Sequence, residues 1–223
     1  MFEEYMRLIA VHAIPVLFAI TLHEAAHGYA ALRFGDDTAQ RAGRISLNPL
    51  RHIDPVGTLL LPMLILLLSG SKFLFGYAKP VPVDFGRLNN PKRDMLWVAA
   101  AGPAANIIMA MGWILVYRMY APDQFEISQG IPSSQQFIIE MAQGGIGINI
   151  VLFVLNLLPL PPLDGGRIAV SLLPDKLAYQ FSRLEPYGFF ILLALLFTGI
   201  LGALMFPLIN VVARILIALT SIF

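Results

Sequence analysis

Between Met95 and Leu163 the chain carries only four charged side chains, Arg118, Asp123, Glu126 and Glu140. A domain that faces water does not leave so long a stretch nearly uncharged, whereas ~20 consecutive apolar residues are what a helix needs to cross a bilayer core. Composition agrees, since apolar residues make up 57% of the chain and charged residues 13%, against ~45 to 50% and ~25% in a soluble domain. The expected class is an all-α polytopic membrane protein. The absence of cysteine excludes disulfide scaffolds, thiolate zinc sites, iron–sulfur clusters and thiol catalysis, leaving any metal to histidine and carboxylate. Fifteen basic and fourteen acidic side chains, a net charge of +1, give no reason to expect a nucleic-acid partner, so the placement of charge matters more than its sum.

Four stretches reach spanning length: residues 8–34, 95–117, 141–163 and 186–213. A fifth, residues 57–68, interrupted by Pro62, is too short to span. Nine of the fifteen Lys and Arg lie from Arg33 to Arg93, on both sides of that short run. Positive charge marks the cytoplasmic face, so the run is expected to dip into the membrane and return, leaning on protein or a water-filled cavity that satisfies its backbone. The segment that follows, Phe75-Gly-Tyr-Ala-Lys-Pro-Val-Pro-Val83, alternates and carries prolines; it reads as an extended edge strand. Residues 121–136 hold Asp123 and Glu126 but no Lys or Arg, as expected on the opposite face, and Arg167, Lys176 and Arg183 mark a return to the cytoplasm. Leu173, Leu177, Phe181 and Leu184 recur behind Pro174, which predicts a short amphipathic helix on the membrane surface. The C-terminal stretch reads either as two short spans broken near Pro207 or as one long tilted helix. The expectation is thus about five to six transmembrane helices with a re-entrant loop and a short membrane-associated β segment. They form a single membrane-embedded domain over residues 1–223, with its core at 8–167 and C-terminal helices at 186–223. Glu3 and Glu4 stand where a signal peptide is basic, so the first span is expected to be retained.

That first span contains His23-Glu24-Ala25-Ala26-His27. Residues four apart on an α-helix are ~40° apart in rotation and ~6 Å apart along the axis, so two imidazoles so spaced can share one zinc ion. Glu24 lies beside that row, where a carboxylate can take a proton from water at the metal. The plainer reading is a helix with chance polar residues, but two His and a Glu in lipid cost several kcal/mol unless they have partners or a function. A catalytic zinc takes three protein ligands, and the chain offers few candidates for the third. His12 is on the same face as His23 but ~16 Å away along the helix. His52 lies in the basic stretch and reads as solvated or interfacial. Glu140 begins the third span at the far face. Asp164 ends Asn156-Leu-Leu-Pro-Leu-Pro-Pro-Leu-Asp164, where Pro159, Pro161 and Pro162 must break the helix. Spacing alone leaves Asp164 balanced between a ligand and an ordinary Asp-Gly turn. Depth favours the ligand, because the charge pattern puts the zinc helix and Asp164 at the same end of the membrane.

With Ala101-Gly-Pro-Ala-Ala-Asn106 in the next span and Asn156-x-x-Pro-x-Pro-x-x-Asp-Gly in the one after, the order of motifs resembles the site-2 protease family of intramembrane zinc metalloproteases, over residues 8 to 167. The resemblance implies one zinc ion per chain held by His23, His27 and Asp164, Glu24 as catalytic base, and Asn106 and Asn156 near the site, steadying substrate or oxyanion. It also implies a transmembrane-helix protein as substrate, a multi-pass position in the cell membrane and an active site towards the cytoplasmic side. Pro162 departs from the family pattern by standing at its variable position. Leaving no room for PDZ or CBS domains, the chain looks like a compact member.

Two rivals bear on the same residues. A membrane zinc protease that trims prenylated peptides would draw its third ligand from a Glu on a later helix, and Glu140 and Glu185 are poorly placed for it. A transporter or a catalytically inactive zinc-binding relative would tolerate Glu24→Gln, which a protease would not.

Overall fold

The computed structural model describes residues 2–52, 54, 57, 60, 79–122, 127, 128 and 130–220. The regular elements among the described residues are helices, with no strand. The first helix, α1 (Phe2–Arg33), contains Pro15 and ends in a Schellman motif. Gly35 takes φ 105°, a left-handed conformation that costs glycine little. The Gly35 N–H then reaches the Leu32 carbonyl at 3.2 Å and the Asp36 N–H reaches that of Ala31 at 2.9 Å. The short α2 (Thr38–Arg41) follows.

Next along the described chain is α3 (Pro91–Tyr120), which begins with Pro at its first position, where the missing N–H is no loss. The Asp94 carboxylate accepts the Asn90 N–H at 2.7 Å. α4 (Ser133–Asn156) ends where Pro159, Pro161 and Pro162 forbid continuation, and a new helix, α5 (Asp164–Leu172), starts at Asp164 itself. α6 (Asp175–Ser182) lies behind Pro174, as the leucine spacing predicts. It is tied to the start of α3 by Lys92, whose ammonium lies 2.5 Å from Asp175 and holds that carboxyl below the usual carboxylate range.

The C-terminal stretch is two helices, α7 (Glu185–Phe197) and α8 (Ile200–Thr220). They part at Gly199, φ 77°, and not near Pro207, which lies inside α8. A proline in an apolar helix frees one backbone group that neighbours can satisfy, whereas a left-handed residue redirects the chain. By length and composition three helices could cross a membrane: α3, α4 and α8. Apart from Gly57 and Leu60, the expected re-entrant run at 57–68 falls outside the described residues, as does the first part of the expected strand at 75–83; Lys79 to Val83, which are described, form no regular element.

The packing sets the depth of everything that follows. α1, α3 and α4 contact one another. The Arg7 guanidinium meets Glu140 at 3.1 Å, one helical stretch away from the point where His23 meets Asp164, so α1 and α4 run parallel. His27 meets Val98 while His23 meets Asn106, so α3 runs against both. α7 and α8 pack on α3 and α4 through Ala110, Ile114, Ile150, Leu192, Leu201 and Met205.

Candidate active site

His23 and His27 stand one turn apart on α1, and the helix start at Asp164 brings a carboxylate between them. His23 Nε2 lies 3.2 Å and His27 Nε2 3.3 Å from Asp164 Oδ2, and the two Nε2 atoms are 3.1 Å apart. The far ring nitrogens are both engaged. His27 Nδ1 is 2.7 Å from the Val98 carbonyl oxygen, which can only accept, so Nδ1 carries the hydrogen and Nε2 presents a lone pair. His23 Nδ1 donates to Asn106 Oδ1 at 2.7 Å with the same consequence. With both rings neutral, three lone-pair atoms therefore converge, and Asp164 Oδ2 is buried with no hydrogen-bond donor among the described residues.

A cation resolves that conflict, and the triangle has the size zinc needs. Four-coordinate zinc with bonds of about 2.0 to 2.1 Å places neighbouring donors about 3.3 to 3.4 Å apart, close to the separations above. Nitrogen, nitrogen and carboxylate oxygen are also a donor set that catalytic zinc uses. Among the described residues this is the group able to hold a metal. His12 is exposed and Glu140 is bound to Arg7 at the other end of the helices. His52, expected as solvated, is instead 2% exposed, with Nε2 2.9 Å from the Ser46 carbonyl oxygen.

Glycine admits the neighbouring helices. A Cβ on Gly102 would come within 2.6 Å of Cε1 in both His23 and His27, so only glycine lets α3 lie against the two rings. Gly166 faces the Pro161 backbone so closely that a Cβ would meet the Leu160 carbonyl carbon at 2.7 Å. The Asp-Gly-Gly sequence is thus the piece that folds the start of α5 back under the proline-rich loop.

The triangle opens into a cavity of ≈ 360 Å³ lined also by Glu24, Asn156, Arg167 and residues 80–83. Glu24 Oε2 accepts the Val81 backbone N–H at 2.7 Å. The Arg167 guanidinium stands 4.8 Å over the Phe85 ring, holding the end of that wall. Outside the membrane helices the wall is anchored by Asp36, which accepts from Thr38 N–H at 2.9 Å, from the Thr38 hydroxyl and from Asp84 N–H at 2.7 Å. Burial acts to raise the pKa of this carboxyl, but those three donors, with Arg87 nearby, outweigh it and hold it below the usual range.

The residues expected at the site divide into three groups. His23, His27 and Asp164 meet in the triangle. Glu24 and Asn156 line the cavity beside it. Asn106 is fully buried behind His23, its oxygen occupied by the ring N–H. Asn149, fully buried against Asn106, is not among the expected residues. The available signal was an amide in mid-span, seven residues before Asn156 and so on the same helix face.

Comparison with known proteins follows the same lines. The model of peptidase family M50 matches residues 123–199, the part that contains Asn156 and Asp164. YwhC of Bacillus subtilis (strain 168), named a candidate zinc metalloprotease, is 38% identical over 198 residues, 88% of this chain and 84% of that protein. Rip2 of Mycolicibacterium smegmatis, named likewise, is 31% identical over 194 residues, 86% of this chain and 69% of that protein. Rip2 of Mycobacterium tuberculosis is 33% identical over 150 residues, 67% and 52% of the respective lengths. No solved structure matches. The first of these relatives matches 88% of this chain at 38% identity, and the chain belongs to peptidase family M50, the zinc metalloproteases of the site-2 type.

Proposed function

We propose that this metalloprotease is an intramembrane endopeptidase that cuts within transmembrane helices of other membrane proteins, as in regulated intramembrane proteolysis. The observation that carries the reading is the His23–His27–Asp164 triangle with Glu24 beside it, set among helices apolar enough to lie in a bilayer. In this reading His23, His27 and Asp164 hold one zinc ion per chain. Zinc held there supplies Lewis-acid chemistry, polarising a peptide carbonyl and easing the deprotonation of water near neutral pH. Glu24 takes the proton of the attacking water and returns it to the leaving amine as the C–N bond breaks. Asn156 reaches the cavity with no side-chain bond to another described residue, and steadies the substrate carbonyl. Asn106 serves as support for His23 and does not touch substrate.

A helical substrate hides its carbonyls in hydrogen bonds, so it must unwind before it can be cut. Residues 80–83 form a wall of the cavity, and the segment from Lys79 to Val83 holds the unwound substrate by backbone pairing. Replacing Val81 and Val83 by proline is expected to impair cleavage and spare zinc; cleavage at the wild-type rate would sink this role. The domain is taken as residues 1–223, with α1 also crossing the membrane and about five to six crossings in all. The basic residues from Arg33 to Arg93 support a site on the cytoplasmic side, with the metal about 9 to 15 Å inside the end of α1.

The test is zinc per purified chain together with cleavage of a membrane-helix peptide. About one zinc ion in the wild type, less in Asp164→Ala, and no cleavage in zinc-loaded Glu24→Gln is the expected pattern. Cleavage surviving Glu24→Gln would defeat the assignment of the base, and undiminished zinc in Asp164→Ala would defeat that of the third ligand.

A further inference from the structure

His23 can offer Nε2 to a metal only if its single ring hydrogen sits on Nδ1. Its neighbour Asn106 could enforce either tautomer, because an amide presents an oxygen on one side and an NH₂ on the other. What decides is the next residue along. Asn149 lies 2.8 Å from the Gly145 carbonyl oxygen, which can only accept, so the atom placed there is the Asn149 NH₂. The Asn149 oxygen consequently faces Asn106, at 2.9 Å, and the Asn106 group meeting it must be NH₂. The same nitrogen also reaches the Ala19 carbonyl, at the longer distance of 3.4 Å. The Asn106 oxygen is thereby turned towards His23 Nδ1. Three hydrogen bonds share one direction, and a backbone carbonyl that cannot be reversed sets it.

From this geometry we infer that Asn149 is a positioning residue of the metal site, acting through Asn106 to hold His23 in the tautomer that ligates. The inference rests on the reading of His23 as a zinc ligand. Both amides are fully buried, so solvent is not at hand to replace a lost partner. Helix packing alone would use the Asn106–Asn149 bond too, but would place no demand on its direction. The direction is what matters to His23.

The experiment uses the full chain in detergent and compares Asn149→Thr with Asn149→Val, which have nearly the same shape and differ in a hydroxyl. A threonine hydroxyl can donate to the carbonyl four residues back and still accept from Asn106. Zinc affinity, measured by chelator competition, is expected to fall about tenfold in Asn149→Val, as for other outer partners of metal-binding histidines. It should stay within about threefold of wild type in Asn149→Thr if the hydroxyl keeps the relay. Added to Asn106→Leu, Asn149→Val should cause no further loss, because the two act in series. In metal-free protein the ¹⁵N shifts of His23, assigned by difference with His23→Ala, should report the Nδ1–H tautomer in wild type and a mixture in Asn149→Val. Equal losses in Thr and Val, or an Nε2–H His23 in the metal-free wild type, would overturn the inference; the second reading needs no variant to fold. His23→Ala separates the underlying reading: if it leaves zinc affinity unchanged, His23 is not a ligand, whereas a large loss there with none in Asn149→Val refutes the relay alone.

Discussion

Gly102 controls how closely α3 approaches the two histidines, and it does so by having no side chain. Alanine is the better helix former by about 1 kcal/mol, so Gly102→Ala should leave helix content intact by circular dichroism. Its Cβ would nonetheless stand 2.6 Å from both rings, and zinc affinity should drop by a factor of about ten or more. Glu140 offers the contrast. It and Arg7 are each more than a third exposed, so Glu140→Gln should cost no more than about 1 kcal/mol and leave zinc content unchanged, which a Glu-ligated prenyl-peptide protease would not. At this scale the His23–His27 pair was legible because residues four apart on a helix share a face, and the structure brings both rings to Asp164. Asn149 belongs to no motif, since its role depends on a contact with α3 that no spacing within α4 records.

Among the elements, the wall beside Glu24 depends on a clamp outside the membrane helices. Asp36 ties the end of α1 to Asp84, just beyond residues 79–83. Folding lowers the pKa of this carboxyl, so its stabilisation is complete above the unfolded value of about 4 and is lost as pH falls through the lower folded value. Limited proteolysis of the loops around it should therefore accelerate on acidification below about pH 4. Asp36→Ala should already be cut faster at pH 7, having lost hydrogen bonds to a charged group worth about 1.5 to 3 kcal/mol. The end of α4 was legible because three prolines within four residues admit no helix. The joint between α7 and α8 was misplaced, because Pro207 is the louder breaker in the sequence, while the backbone turns at Gly199, which takes a left-handed φ of 77° that glycine adopts at little cost.

Across the whole molecule, antiparallel packing of α3 against α1 and α4 places the three candidate metal donors at one end and the Arg7–Glu140 pair at the other. A chain without cysteine makes the orientation simple to read, since each introduced thiol is the only one. Gln40→Cys is expected to react with an impermeant maleimide from the cytoplasmic face and Ser134→Cys from the opposite face; the reverse pattern would invert the topology while leaving the site itself unchanged. The helical, membrane-type architecture was legible from the uncharged stretches. Which helices touch was not, because near-uniform apolar faces carry no pairing code.

One stripe of α3 faces both histidines of α1. Val98, Gly102 and Asn106, spaced four apart, supply in turn an acceptor for His27, clearance for both rings and an acceptor for His23. None of the three ligates, yet all three must stay level with α1, and a slip of one turn, about 5.4 Å, would bring the wrong group to each imidazole. The helix pair therefore works as a vernier, in which alignment along the membrane normal is converted into metal affinity. Bilayers whose thickness mismatches the apolar length of α3 strain that alignment, so zinc retention measured across vesicles of graded acyl-chain length should peak at one thickness and fall on either side.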